Sequence, residues 1–155
     1  MKKVILTLFV LGLVFCVVFV FWISTDTLQE NIGLIEIIYQ HVKSNNRIDF
    51  DVMITDFEWD EMFIFGKYSS PETLLRSRGV AMKKLDTPIR HSEVISLLVF
   101  VNNKEIVAYV NHPISKGYFR CTGVFQRDFS KFNVERGLVS SRVWFDIVHI
   151  HSIHI

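Results

Sequence analysis

One apolar run, Val4 to Ile23, limits the structures open to this chain more than any other feature. No charged residue interrupts it, and Lys2 and Lys3 precede it. Twenty helical residues span about 30 Å, which is the thickness of the hydrocarbon core of a bilayer. We therefore predict that residues 1–23 form a signal-anchor with a transmembrane helix.

A cleaved signal peptide and a lipoprotein signal are the alternatives. The apolar segment of a cleaved signal is roughly 7–15 residues long and is followed by small residues. The run here is longer and ends in Trp22 and Ile23. A lipoprotein signal would use Cys16, but Phe15 is bulky where such signals need a small residue. A retained anchor is therefore the expected form, with a cleaved, secreted inhibitor as an alternative.

The charges that flank the run predict its orientation. Lys2 and Lys3 stand before it, whereas acidic residues follow it and no base occurs until Lys43. Positively charged flanks stay in the cytoplasm. We expect a single-pass protein of the cytoplasmic membrane, with the N-terminus inside, the C-terminal domain outside and residues 4–23 in the lipid bilayer.

Residues beyond the anchor number 132, enough for one domain with its own core. The formal net charge of the whole chain is +1, so the sequence has no basic excess for a nucleic-acid partner. The charge is uneven, however: residues 24–61 hold nine acids and two bases, and residues 62–155 hold thirteen bases and seven acids. Either the two halves neutralise each other, or the domain has two faces of opposite sign and offers one to a partner.

Residues 24–46 have the pattern of a juxtamembrane amphipathic helix. Asp26 with Gln29, and Thr27 with Glu30, form two overlapping capping boxes. Apolar residues then recur at helical spacing, namely Leu28, Ile32, Ile35, Ile38, Tyr39 and Val42. We predict a helix over 27–43 whose apolar stripe packs against the outer domain.

Residues 47–155 are predicted to form an extracytoplasmic α+β domain. Alternating patterns predict strands over 48–54 and 59–65, and Gly66 ends the second. In that second strand Trp59, Phe63 and Phe65 should share one face. Ser70 as N-cap and Pro71 at the first helical position predict a short helix, which Gly79 closes.

The second half of this domain reads as mainly β. Two β-branched, apolar runs flank Asn102-Asn103-Lys104, which predicts a hairpin because asparagine tolerates positive φ. Pro113 ends the second run. A strand over 118–125, a polar loop over 126–142 and an extended tail follow. The pattern favours an antiparallel sheet packed against one longer and one short helix.

Two groups of side chains are candidate metal ligands. His149 and His151 would face the same side of a strand and share a metal, with His91 or His112 as a third ligand. The alternative to a metal site is that these histidines lie in an exposed strand at the end of the chain. Acidic residues offer calcium ligands, but the EF-hand pattern fails and a solvated strand face explains them equally well: Asp49, Asp51, Asp56, Glu58, Asp60 and Glu61. No cofactor is predicted.

Catalytic motifs are missing from the sequence. Cys121 with a histidine would make a thiol dyad, yet no sequence signal lowers the pKa of its thiol, and a small buried side chain is the simpler interpretation. No G-x-S-x-G elbow, phosphate-binding glycine loop or C-x-x-C occurs. Whether the protein is an enzyme stays open, with a non-catalytic role favoured.

An aromatic segment supplies the candidate partner-binding residues Trp59, Asp60 and Tyr68, because Trp and Tyr anchor many interfaces. Core packing is the competing explanation for alternating aromatics on a strand.

The same segment, ITDFEWDEMFIFGKYSSPE, resembles a loose group of small, uncharacterised bacterial proteins that are membrane-anchored or exported. The matching residues are Trp59, Asp60, Phe65, Gly66 and Tyr68, whereas Lys67 stands where proline is expected. The resemblance covers this segment and the overall layout. It implies a bacterial envelope protein and no particular activity.

Together these features predict an envelope protein whose outer domain is a non-catalytic binding module. Its expected partners are the bilayer and another membrane or envelope protein, and no nucleic acid. A metal-dependent envelope enzyme using His149 and His151 is the alternative, beside the secreted inhibitor.

Overall fold

The computed structural model describes residues 27–139 and 142–150, and within these ranges the chain is α+β. The helices are α1 Ile32–Ser44, α2 Phe50–Met53 and α3 Pro71–Ser77. The strands are β1 Arg47–Asp49, β2 Glu61–Phe65, β3 Ile95–Asn102, β4 Glu105–Pro113, β5 Tyr118–Phe119, β6 Gly123–Gln126, β7 Lys131–Val139 and β8 Arg142–His149. None of these helices has the length and hydropathy of a membrane span, and the apolar run 4–23 lies outside the described residues.

The described strands form two sheets rather than the single sheet that the sequence predicted. The first sheet has the order β1-β7-β8-β5, and the second has the order β4-β3-β2-β6. Neighbouring strands are antiparallel except β5 and β8, which pair in parallel through Tyr118↔Asp146 and Phe119↔Ile147. The α+β class and the mainly antiparallel pairing are confirmed.

A core of aromatic and aliphatic side chains lies between the two sheets. Phe50 is at its centre, with its ring 5.5 Å from Phe132, 6.2 Å from Phe119 and 6.4 Å from Phe100. Helix α1 covers part of this core with three buried residues at four-residue spacing, Leu34, Ile38 and Val42. This packing joins both sheets and α1 into one hydrophobic unit.

The outer face of the second sheet buries a separate core under α3 and the connector 78–94. Phe63 and Phe65 of β2 point into this core, whereas Met62 and Ile64 point towards the first sheet. The predicted division of Phe63 and Phe65 from Met62 and Ile64 is confirmed, but Trp59, predicted to share the face of Phe63, precedes β2 and packs in the inter-sheet core instead. Because both faces are covered, the central strands β2 and β3 are almost wholly apolar.

The predicted start of the first helix is wrong by five residues. Helix α1 begins at Ile32, and its cap is Asn31, whose side chain accepts a hydrogen bond from the Leu34 amide at 3.1 Å. The predicted capping residue Glu30 instead accepts a bond from the Asn111 amide at 2.7 Å. Residues 27–31 therefore run along the edge of β4, and Ile32 is 70% exposed.

The strand predicted over 48–54 is also wrong in its second half. Strand β1 ends at Asp49, and the chain turns into the single helical turn α2. This turn buries Phe50 and leaves Val52 73% exposed. The alternating pattern did identify the buried residues Ile48, Phe50 and Ile54, but not the backbone that buries them.

The polar loop predicted over 126–142 is in fact largely β7. Phe132 and Val134 are buried, while Asn133, Glu135 and Arg136 face solvent. A strand with one solvated face is rich in polar residues, which explains why it was mistaken for a loop.

Two local predictions are confirmed. The β3–β4 hairpin turns at Asn103 and Lys104, which have φ values of 50° and 65°, as a two-residue type I′ turn requires. Helix α3 begins at Pro71 after Ser70, and Gly79 follows it with a φ of 72°. The side chain of Ser70, however, makes no capping hydrogen bond.

Candidate interaction surface

Tyr68, one of the three predicted partner-binding residues, is exposed, with 57% of its surface accessible. It lies in the turn after β2, where the Gly66 carbonyl accepts a bond from the Ser69 hydroxyl at 2.7 Å. The φ of Tyr68 is 58°, in the left-handed region that a bulky L-residue rarely adopts. Its amide donates to the Ile89 carbonyl at 3.0 Å, which holds this conformation in place.

Neighbouring side chains extend the surface around Tyr68. The Tyr68 hydroxyl donates a hydrogen bond to the Glu93 carboxylate, and this bond raises the pKa of the hydroxyl. Val94 follows and is 64% exposed, while its carbonyl accepts from the Ile114 amide at 3.0 Å. We call Tyr68, Glu93 and Val94 the tyrosine face. It presents an aromatic ring and an apolar side chain on a backbone fixed by two long-range hydrogen bonds.

Trp59, by contrast, is a core residue, so the prediction that it contacts a partner is corrected here. Only 2% of its surface is exposed, and its ring packs edge-on against Phe100 with centroids 5.4 Å apart. The guanidinium of Arg127 lies 5.6 Å from the centroid of the indole ring. The competing explanation, that this aromatic fills the core, applies to Trp59.

Asp60 lies at the mouth of a charged groove of about 380 Å³ between the start of β2 and the residues after β6. Its carboxylate accepts a bond from the Asn103 amide at 3.0 Å. Glu61 beside it pairs with Lys104 at 3.1 Å and with Arg78 at 3.3 Å. Both bases of the groove are paired with carboxylates of the domain, Lys104 with Glu61 and Arg127 with Glu58, so the groove offers no unpaired base to an anionic partner.

Arg127 forms ion pairs with two of the acidic residues that were candidate calcium ligands in the sequence. It pairs with Asp51 and with Glu58, the second at 2.9 Å, and the bond to Asp51 raises the pKa of the guanidinium. Lys131 lies 3.7 Å from Asp49 in the same region. In residues 27–139 and 142–150 no three potential metal ligands come together.

Asp60 and Tyr68 do not share one patch. They stand at opposite ends of β2, whose five residues span about 17 Å. The three residues grouped by the sequence therefore separate into a core residue, a residue of the charged groove and a residue of the tyrosine face. Sequence reasoning missed Glu93 and Val94, since nothing local shows that they lie beside Tyr68.

His149, one of the two predicted metal ligands, lies at the end of β8, while His151 falls outside the described residues. The Nε2 atom of His149 is 2.8 Å from the Phe129 carbonyl, to which it donates when protonated. The ring also contacts Phe125 and Phe132, with centroid separations of 4.7 and 5.3 Å. This nitrogen is therefore engaged with the backbone. Cys121, the other reactive candidate, is half-buried, and burial raises the pKa of its thiol.

A buried polar pair, which the sequence did not reveal, lies between the two sheets. His112 on β4 stands opposite Ser96 on β3, and both residues are fully buried. Neither ring nitrogen of His112 nor the Ser96 hydroxyl makes a hydrogen bond in good geometry. Burial lowers the pKa of His112 to about 4, although the Gly117 backbone opposes this shift and Lys116 adds to it.

No protein family, curated protein or solved structure matches this chain. The resemblance to small bacterial envelope proteins therefore stays a prediction from the residues of one segment.

Proposed function

We propose that this chain is a membrane-anchored, non-catalytic binding module, whose outer domain contacts another membrane or envelope protein through the tyrosine face. The apolar run 4–23 and the lysines before it support the anchor and its orientation. The observation that carries the proposed contact is Tyr68, a large aromatic side chain exposed to solvent on a strained backbone.

The energetic cost of this conformation is the reason for choosing Tyr68. A left-handed conformation costs an L-residue about 1–2 kcal/mol, whereas glycine adopts it without that cost. A side chain that packed in the core would offset the cost, but the Tyr68 ring is largely in water. Strained, exposed residues of this kind cluster at binding sites. Tyrosine is also among the residues that contribute most to protein interfaces.

Val94 adds an exposed apolar side chain next to Glu93, and Glu93 accepts the hydrogen bond of the Tyr68 hydroxyl. This combination of a rigid aromatic, an apolar neighbour and a polar rim is that of a small protein-binding surface. A partner protein that buries Tyr68 and Val94 would remove two of the most exposed large apolar side chains of the described domain from water.

Two substitutions of Tyr68 separate binding from folding. Tyr68→Ala removes the ring and keeps the strained φ, while Tyr68→Gly removes both the ring and the strain. We expect Tyr68→Gly to unfold at higher urea than Tyr68→Ala, by about 1 kcal/mol. We expect both variants of the full-length chain to lose the proteins that cross-link to the wild type in membranes.

Val52→Ala is the matched control, because Val52 is 73% exposed and lies in α2, which follows β1 of the other sheet. It should keep the same cross-linked proteins. The proposal is wrong if both Tyr68 variants capture the wild-type set, or if only the less stable variant loses it.

A further inference from the structure

The site where the chain enters the domain brings one surface close to the proposed membrane span. Thr27 pairs with Lys84 in a parallel β-bridge, and Glu30 and Asn31 bond to β4 immediately afterwards. From Ile23 to Thr27 there are four Cα steps, which reach at most about 14 Å. With the apolar run 4–23 as the proposed membrane span, Lys84 therefore lies within about 20 Å of the end of that span.

That surface is basic. Residues 67–90, which include α3 and most of the connector over the second sheet, contain six bases and two acids. Three of the bases are paired: Arg90 with Glu72 at 2.6 Å, Arg78 with Glu61 at 3.3 Å and Lys83 with Glu105 at 4.0 Å. Among the described residues, no carboxylate lies within 4.0 Å of Lys67, Arg76 or Lys84. The unpaired positive charge is thus on the side of the domain where the chain enters.

A groove of about 280 Å³ runs between α3 and the connector on this surface. Leu75, Met82 and Leu85 give it an apolar lining, Lys83 and Lys84 supply two bases, and Glu72, whose charge is paired with Arg90, also lines it. Lys83 is held in place by donating to the Ile106 carbonyl at 3.0 Å. An apolar floor beside two ammonium groups suits a phosphate headgroup joined to a glycerol backbone.

The first sheet forms the opposite side of the domain. Asp51 and the exposed Val52 lie there, in α2 after β1, and the charge of Asp51 is matched by Arg127. An anionic membrane attracts a basic surface by about 1 kcal/mol per base. Charge and chain connection therefore favour the same orientation.

We propose that this basic groove binds the headgroups of anionic phospholipids in the membrane that anchors the chain. This inference rests on the anchor of the proposed function and does not depend on the tyrosine face. The bound headgroups hold α3 and the connector against the bilayer and leave the first sheet facing away from it.

Distances from labelled sites to the bilayer test this orientation. The full-length chain, with Cys16 and Cys121 replaced by alanine, is placed in lipid nanodiscs that contain a gadolinium-chelating lipid. A spin label is attached at Ala81→Cys, next to the groove, or at Val52→Cys on the far side. The discs contain phosphatidylcholine alone, or an equal mixture of phosphatidylcholine and phosphatidylglycerol.

We expect strong paramagnetic relaxation at position 81 in the anionic discs, less in the neutral discs, and little at position 52 in either. Lys84→Glu should lower the ratio of docked to undocked domain about 25-fold, since it changes the surface by two charges worth about fivefold each. Lys43→Glu changes the net charge equally on an exposed site of α1 and should have no such effect.

Two results overturn the headgroup site: equal relaxation at positions 81 and 52, or the same relaxation at position 81 in neutral and anionic discs. Neither result contradicts the proposed membrane-anchored binding module. An effect of Lys43→Glu as large as that of Lys84→Glu also overturns the headgroup site, because the attraction is then a property of net charge. A chain that the discs do not retain overturns the anchor, and this inference with it.

Discussion

Acidification should destabilise the domain chiefly through His112. Its ring lies in the core between the two sheets, fully buried opposite Ser96 and against the ring of Phe119 at 5.5 Å. Burial lowers the pKa of this histidine from 6.5 to about 4. Lys116 is the charged neighbour that disfavours the imidazolium further.

The direction of this pH dependence follows from proton binding to His112 in the folded and unfolded states. Between pH 6.5 and pH 4 the unfolded chain binds a proton at this histidine and the folded chain does not, so unfolding is favoured as the pH falls. The contribution of His112 to stability is greatest above about pH 6.5 and decreases by up to about 1.4 kcal/mol per pH unit. It reaches a loss of about 3 kcal/mol by pH 4 and levels off below that value.

Urea unfolding of the full-length chain in detergent micelles, followed by far-UV circular dichroism between pH 7 and pH 4, measures this loss. His112→Leu and His112→Gln remove the titrating group, and both should flatten the pH dependence relative to wild type. Because the carboxylates titrate alike in each chain, the difference between the curves gives the contribution of His112 to the pH dependence of unfolding. His91→Leu, at an exposed site, should leave the slope unchanged. Parallel curves for the wild type and both His112 variants would show that His112 does not cause the loss of stability.

Two further substitutions test the turn and the core by the urea midpoint. Lys104→Gly should be more stable than Lys104→Ala by about 1 kcal/mol, since both lose the pair with Glu61 but only glycine relieves the positive φ. Equal midpoints would contradict this. Phe50→Ala should cost about 3–5 kcal/mol, because the ring is buried among three others. Phe129→Ala, at a side chain 47% exposed, should cost far less, and a similar cost for both would show that the inter-sheet core is wrongly placed.

The elements that the sequence predicted well are those set by local chemistry. Asn103 and Lys104 define their turn because few residues adopt positive φ in succession. Pro71 starts α3 because its ring fixes φ and its missing amide is not needed at the first position. The elements predicted badly depend on distant partners. Glu30 has the sequence position of a capping residue, but its carboxylate accepts a hydrogen bond from the amide of Asn111, which is far along the chain.

The site was less predictable than the fold for the same reason. Alternation alone did not show that Trp59 would be covered by Phe100, or that the turn after Gly66 would expose Tyr68. The pairing of Ser96 with His112 was hidden by the irregularity between Phe100 and Val101, which shifts the hairpin register by one residue. Counting back from the turn without this bulge sets Ser96 opposite Asn111 instead.

Labelling of intact cells tests most directly whether the domain is tethered outside the membrane. Full-length Val52→Cys, with Cys16 and Cys121 replaced by alanine, is treated with a membrane-impermeant maleimide before the membranes are isolated and washed with alkaline carbonate. We expect position 52 to be labelled in intact cells and the full-length chain to stay in the washed membranes. Labelling only after lysis, or recovery of the chain in the soluble fraction, would show that the domain is not tethered outside the membrane.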